Sequence, residues 1–168
     1  SEVTDAGRLK ACLKQIPENV KSGELCVSIA EKYERLGLYA EAVKWVKTHY
    51  PQNRQPELLE AFVESVRFLS ERDQQKAIDL ADSWLQEQPD NALLLMYLGQ
   101  LAYGRKLWGK AQGYLEASIA LQPSIAARLM LARVLDETGQ PQKAQEQRKL
   151  VLEAVSDDER HAALEQHS

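Results

Sequence analysis

Apolar residues recur along this chain at spacings of three and four, the period of amphipathic helices, and each group surrounds a pair of small residues twelve positions apart. Successive pairs lie 35, 34 and 33 residues apart. The four pairs are Ala30/Ala42, Ser65/Ala77, Gly99/Ala111 and Ala132/Ala144. A repeat of about 34 residues indicates an array of helical hairpins, in which the small pair lets the two helices of a hairpin approach closely.

The third repeat identifies the type of hairpin. It reads Leu-x-x-Leu-Gly-x-x-Ala over 95–102 and Ala-x-x-x-Leu-x-x-Ser over 111–118, before Pro123. This run resembles the tetratricopeptide pattern, with leucines and Ala102 where aromatic residues are commoner. The sequence therefore predicts an all-α fold, a right-handed superhelix of about four tetratricopeptide-type hairpins with a terminal helix at each end.

The predicted boundaries follow from turn and cap residues within a single domain, 1–168. Gly139 suits the left-handed end of one helix and Pro141 the first turn of the next. Ser156 and Glu159 form a capping-box pattern that predicts a separate last helix. The predicted elements are the second helix of a preceding partial repeat at 1–17, hairpins at 23–50, 57–88, 92–121 and 125–154, and a capping helix at 156–167.

Composition narrows the classes of function. The chain has 168 residues, 44% of them hydrophobic, and a formal net charge of −4, so no basic surface favours nucleic acid or anionic lipid. No apolar run reaches the roughly 18 residues of a membrane span, and no signal peptide is visible. Cys12 and Cys26 lie on predicted helices without metal-ligand spacing, so we expect both to be buried packing residues.

Residues 104–111 nearly match a phosphate-binding loop, but the run follows a helix rather than a strand and ends in Ala111 where Ser or Thr would bind magnesium. We interpret it as the turn of the third hairpin. His49, His161 and His167 are too scattered to form a site, and His49 is expected to close a helix, where positive charge favours the dipole. These observations predict a protein that is not an enzyme and holds no metal.

Repeat arrays of this kind commonly bind partners on the surface lined by the first helix of each hairpin. Carrying the usual inward positions onto this sequence predicts a groove with an apolar middle and charged ends, in which Phe62→Asp or Met96→Asp would abolish binding without loss of helicity. The alternative is that several of these residues, such as Leu69, pack between hairpins. The predicted groove residues are Phe62, Val66, Leu69, Met96, Gln100, Tyr103 and Arg133.

Residues 94–102, 107–118 and 121–123 together resemble the C-terminal half of HemY-like proteins, a family of proteobacterial inner-membrane tetratricopeptide proteins. Residues 131–139 and 144–148 fit the same pattern. The resemblance implies a non-catalytic factor in a late step of protohaem synthesis, anchored in the inner membrane through its N-terminus, with this domain on the cytoplasmic side.

These observations together predict a protein–protein interaction scaffold whose partners include late enzymes of haem synthesis. One alternative is a haem or porphyrin carrier with His49 or Tyr103 as axial ligand; otherwise no cofactor is expected. A second alternative is a generic adaptor for envelope or complex assembly, unrelated to haem.

Overall fold

The computed structural model describes residues 2–17 and 23–167, so the two ends of the predicted 1–168 domain, Ser1 and Ser168, lie outside the described residues. Every regular element in the described ranges is an α-helix, which confirms the all-α prediction. The helices are α1 (Glu2–Gln15), α2 (Glu24–Arg35), α3 (Tyr39–Asn53), α4 (Pro56–Val66), α5 (Glu71–Glu87), α6 (Ala92–Gly104), α7 (Trp108–Leu121), α8 (Ile125–Glu137) and α9 (Pro141–Gln166).

The chain divides into two compact units. Unit 1 ends at Glu87 and contains α1 to α5; unit 2 begins at Gln88 and contains α6 to α9. In each hairpin we call the N-terminal helix the first helix (α2, α4, α6, α8) and the other the second helix (α3, α5, α7, α9).

The small residues of the repeat are core positions rather than parts of an exposed site. Ala42 on α3 is 0% exposed and belongs to a buried cluster with Ile29 and Tyr33 of α2. Ala144 on α9 is also 0% exposed and lies in the buried cluster of unit 2 with Leu131 of α8. The other six members are buried as well: Ala30, Ser65, Ala77, Gly99, Ala111 and Ala132. Their role is therefore structural, as the close approach of paired helices requires.

The α6–α7 hairpin of unit 2 is the closest pairing of helices. A Cβ atom added at Gly99 would lie 2.6 Å from Leu115 Cγ, and Leu115 is fully buried. Any larger residue at 99 would therefore require either the Leu115 side chain or the two helices to move. Ser118 Oγ also donates a hydrogen bond to the Ala92 carbonyl at 2.6 Å, which ties the end of α7 to the start of α6.

Local caps set the boundaries of unit 2. The Asn91 side chain accepts a hydrogen bond from the Leu94 amide at 3.0 Å and opens α6. Residues 105–107, part of the run that resembles a phosphate-binding loop, form the turn between α6 and α7. Gly139 has φ of 71° after the end of α8, and Pro141 is the first residue of α9, as predicted for both residues.

The C-terminal helix differs from the prediction. The separate capping helix at 156–167 is wrong, because α9 runs without a break from Pro141 to Gln166. Ser156 does not cap a helix; its hydroxyl donates to the Leu152 carbonyl at 3.0 Å, one turn earlier. Strong helix formers follow at 162–165, so nothing in the sequence forces a stop.

Unit 1 is assembled around a tryptophan. The α4 helix packs mainly on α2 and α3. It approaches α5, the other helix of its hairpin, much less closely than α6 approaches α7 in unit 2. Trp84 of α5 fills the space, with its ring centroid 4.5 Å from that of Tyr50 on α3 and 5.2 Å from that of Phe62 on α4. Contacts between aromatic rings therefore join α5 to α3 and α4 within unit 1.

Candidate functional site

Three of the predicted groove residues lie in the core. Phe62 and Val66 are each 1% exposed, and Met96 belongs to the buried cluster of unit 2. Their placement as exposed anchors is therefore wrong. The physical reason is that α2 and α3 pack on α4, and Trp84 contacts Phe62 from α5. This leaves the N-terminal half of α4 exposed at Glu57 and Glu60.

The exposed surface of the first helices in unit 1 is acidic. Burial raises the pKa of Glu34 above its usual value of 4.5, and the charges of Glu64, Glu60 and Glu31 add to the rise while Arg35 opposes it. These carboxylates come from both α2 and α4. We call this surface the acidic face. Its signal was present in the sequence as carboxylates at 57, 60 and 64, spaced by three and four along one helix.

The other predicted residues of unit 2 lie together. The Arg133 guanidinium on α8 stands over the Tyr103 ring of α6, 5.0 Å from its centroid, and makes no ion pair with a described residue. The Trp108 ring meets the Tyr103 ring edge-on, with 5.2 Å between the ring centroids. Gln100 lies one turn before Tyr103 on α6 and is half-buried.

One turn along α8 from Arg133, Leu129 is 44% exposed. We call Gln100, Tyr103, Leu129 and Arg133 the Tyr103–Arg133 face. It combines a cation held over an aromatic ring with an adjacent apolar side chain. Such a surface can bind a carboxylate beside an apolar group, because the guanidinium keeps hydrogen-bond donors available at its edge.

Leu69, the remaining predicted residue, lies instead in a groove between the two second helices of unit 1. This α3–α5 groove has a volume of about 380 Å³ and is open to solvent. Sequence reasoning missed it, although lysines and small residues alternate at helical spacing over 40–47. Its floor is formed by Ala40, Val43, Leu69, Ala77 and Leu80, and its rim by Lys44, Lys47, Lys76 and Asp73.

The two candidate thiols have different surroundings. Cys26 is fully buried, as predicted, and Asn53 Nδ2 donates to its Sγ at 3.7 Å. Cys12 is exposed, so the prediction that it packs in the core is wrong.

His49 lies within α3 rather than at its end, because α3 continues through Pro51 to Asn53. Its ring packs 3.9 Å from that of Trp45, and the residue is 9% exposed. Little of the His49 ring is therefore accessible to a haem iron. No group of three metal-ligating side chains occurs in the described residues, and among the same residues no helix is long and apolar enough to cross a membrane.

Solved structures provide the comparison for this geometry. A crystal structure of MamA matches with a TM-score of 0.68 at 21% identity, over 90% of this chain and 87% of that one. The thermophilic tetratricopeptide protein TTC0263 of Thermus thermophilus matches with a TM-score of 0.67 at 22% identity, over 90% and 86%. The fold is of the tetratricopeptide-repeat type.

A human IFIT1 dimer structure with PPP-AAAA also contains this repeat fold. It matches with a TM-score of 0.62 at 24% identity, over 80% of this chain and 33% of that one. No protein-family model and no curated protein matches the chain. At these identities the likeness concerns the arrangement of helices alone, so function must be inferred from surface chemistry.

Proposed function

We propose that this chain is a non-catalytic scaffold that binds protein segments on the Tyr103–Arg133 face. The tetratricopeptide fold supports this proposal, because its hairpins present first helices as a binding surface. The observation that carries it is the Arg133 guanidinium held 5.0 Å over Tyr103, without an ion pair to a described residue.

The chemistry of that face indicates the kind of segment it would bind. A partner carboxylate would reach the edge of the guanidinium and form charge-assisted hydrogen bonds. An apolar side chain next to that carboxylate would cover Leu129, which is now 44% exposed. Tyr103 is a suitable anchor, since aromatic residues and arginine are enriched among the residues that dominate binding energy.

Immobilised wild-type chain should capture partners from detergent-solubilised proteobacterial membranes, identified by mass spectrometry. We expect Arg133→Glu to lose those partners by repelling the carboxylate, whereas Lys110→Glu should retain them. Lys110 is an exposed residue of α7 outside the face, so it matches the change in charge. Equal recovery on wild type and Arg133→Glu would reject the Tyr103–Arg133 face as the binding site.

We also propose an association with a late step of protohaem synthesis at the cytoplasmic side of the inner membrane. Its support is the resemblance of residues 94–123 and 131–148 to HemY-like proteins. Recovery of late haem enzymes on the wild-type chain would strengthen this role. Recovery of envelope-assembly factors instead would favour the generic adaptor.

The porphyrin-carrier alternative has a separate readout. A saturable shift of the Soret band on adding haem, lost in Tyr103→Phe, would favour it. Tyr103 is the ligand to test, because His49 is packed against Trp45.

A further inference from the structure

The last turns of α9 form an exposed amphipathic helix. Leu152 is 68% exposed and Val155 38%, and every described residue after Val155 is exposed. At 100° per residue, Leu152, Val155, Ala162 and Ala163 fall within an arc of about 100°, which we call the apolar stripe; Glu159 lies within the same arc, between the two apolar pairs. The opposite side of its first turns, at Glu153, Ala154 and Asp157, lines a pocket with Arg128 of α8. The turns after Asp158 have no such neighbour and are marginally stable in water, so a covering partner would stabilise them.

This C-terminal segment, residues 152–166, is also strongly acidic. It contains five carboxylates and one arginine. Asp157 Oδ1 lies 3.8 Å from Arg160 Nη1. Asp158 lies beside the apolar stripe, and Glu159 lies within it. The acidic residues are Glu153, Asp157, Asp158, Glu159 and Glu165.

The α3–α5 groove has the opposite character. Two aromatic contacts lie near its ends: the Tyr39 ring of α3 stacks at 4.1 Å on that of Phe68, in the turn before α5, and the Tyr50 ring of α3 meets that of Trp84 on α5 at 4.5 Å. Between these contacts the floor is made of small and aliphatic side chains. The rim carries three lysines and one aspartate. Asp73 Oδ1 lies 3.9 Å from Lys76 Nζ.

We propose that the C-terminal segment of one copy of this chain docks in the α3–α5 groove of a second copy. Lys44 and Lys47 are exposed and would meet Asp158 beside the apolar stripe and Glu159 within it. Ala40 to Lys47 covers about two turns, roughly 10 Å, so the groove can take about two turns of the segment, such as Leu152 to Glu159. The apolar stripe would then cover Val43 and Leu80 in the floor of the groove.

Such a contact joins two different surfaces, so each molecule can offer both. Association can therefore continue beyond the dimer or close into a ring. A groove of two turns buries little area, which places the contact among weak and transient interfaces. Because exposed charges contribute to it, salt should weaken it.

Sedimentation of the whole chain from about 10 µM to 1 mM, in low salt and in about 1 M NaCl, tests the proposal. We expect the mass to rise from 19.0 kDa with concentration in low salt and to stay near that value in high salt. Lys44→Glu/Lys47→Glu should weaken association at least about tenfold, and Asp158→Lys/Glu159→Lys should do the same. Lys110→Glu/Lys143→Glu, with an equal change in charge elsewhere, should behave as wild type.

The decisive arm mixes the two charge-reversed variants. Each carries one reversed surface, so in the mixture the acidic groove of one variant meets the basic segment of the other, and the two unreversed surfaces also meet. The equimolar mixture should therefore associate more strongly than either variant alone. The proposal is wrong if the wild type remains monomeric throughout, if it associates equally well with either surface reversed, or if the mixture stays monomeric. Circular dichroism checks the fold of each variant, and Lys44→Gln/Lys47→Gln serves as a milder second variant.

The outcome is separable from that of the partner-binding proposal. The sedimentation experiment uses purified chain alone and alters neither Tyr103 nor Arg133. Loss of capture by Arg133→Glu with normal self-association, or the reverse, would assign each role to its own surface.

Discussion

The α6–α7 and α4–α5 hairpins carry the same small pair at the same spacing but are held together differently. In α6–α7, Gly99 lies directly against the Leu115 side chain, and Ser118 bonds the Ala92 carbonyl across the hairpin. In α4–α5, the helices stand further apart and Trp84 fills the gap. The same repeat can therefore be closed by contact at a small residue or by a large ring.

Removing the ring should have the largest effect. Trp84→Ala leaves a cavity between Tyr50 and Phe62, so we expect unit 1 to lose about 3 to 5 kcal/mol of stability. Urea unfolding followed by circular dichroism measures this loss. Trp84→Phe keeps most of the volume and should cost clearly less; an equal cost for both would mean that ring size does not hold the hairpin together.

Adding one methyl group should break the close approach in the other hairpin. The Cβ of Gly99→Ala would lie 2.6 Å from Leu115 Cγ, so we expect a loss of about 1 to 2 kcal/mol after allowing for the better helix propensity of alanine. The matched variant is Gly113→Ala on α7, where nothing lies within 4 Å of the added atom. It should gain about 0.5 to 1 kcal/mol. Thermal melts that showed the same sign for both would contradict the close contact.

The two buried serines should respond in opposite directions. Ser118→Ala removes the bond to the Ala92 carbonyl and should cost about 1 kcal/mol. Ser65 Oγ is buried with no hydrogen-bond partner among the described residues, so Ser65→Ala should stabilise unit 1 by up to about 1 kcal/mol. Denaturant titration of both variants checks the signs, and destabilisation by Ser65→Ala would indicate a bond that the structure does not show.

The smallest effect concerns charge on the acidic face. Because the folded state raises the pKa of Glu34, it holds that proton more tightly than the unfolded state does. The contribution of Glu34 to the free energy of unfolding is fully present below pH 4.5. It is lost as the pH rises through the raised pKa and does not change further at higher pH. Glu34→Gln should therefore raise the melting temperature slightly at pH 7 and flatten its pH dependence just above 4.5. An unchanged pH profile would mean that the fold does not raise the pKa of Glu34, through burial or through the neighbouring carboxylates.

The sequence predicted the helices better than it predicted the surfaces. Small residues twelve apart mark where helices must approach, and that constraint is local to each hairpin. The side of α4 that faces solvent is set by its packing on α2 and α3. It is also set by Trp84 of α5, which lies nineteen residues after Ser65 of α4 and therefore beyond any local pattern. The inward positions usual for the repeat therefore selected Phe62 and Val66, whereas the exposed side of α4 carries Glu60.

Unit 2 follows the repeat pattern more closely, and there three of the four positions lie outside the core. Gln100, Tyr103 and Arg133 lie together on the exposed first helices, although Met96 lies in the core. The α3–α5 groove was beyond prediction, because its two walls belong to different hairpins and its lining residues, such as Val43 and Leu80, are far apart in sequence. The length of α9 was missed because Ser156 bonds backward to Leu152 instead of opening a new helix.

Thermal melts of Phe62→Asp and Arg133→Glu, followed by circular dichroism, test most directly which residues face a partner. Phe62 is 1% exposed and packs on Trp84, so an unpaired carboxylate there should melt unit 1, whereas Arg133→Glu should keep the wild-type transition. If Phe62→Asp melted as the wild type does, Phe62 would be a surface residue and its placement in the core would be wrong. If Arg133→Glu melted unit 2, Arg133 would be a structural residue, and the assignment of binding to the Tyr103–Arg133 face would lose its basis.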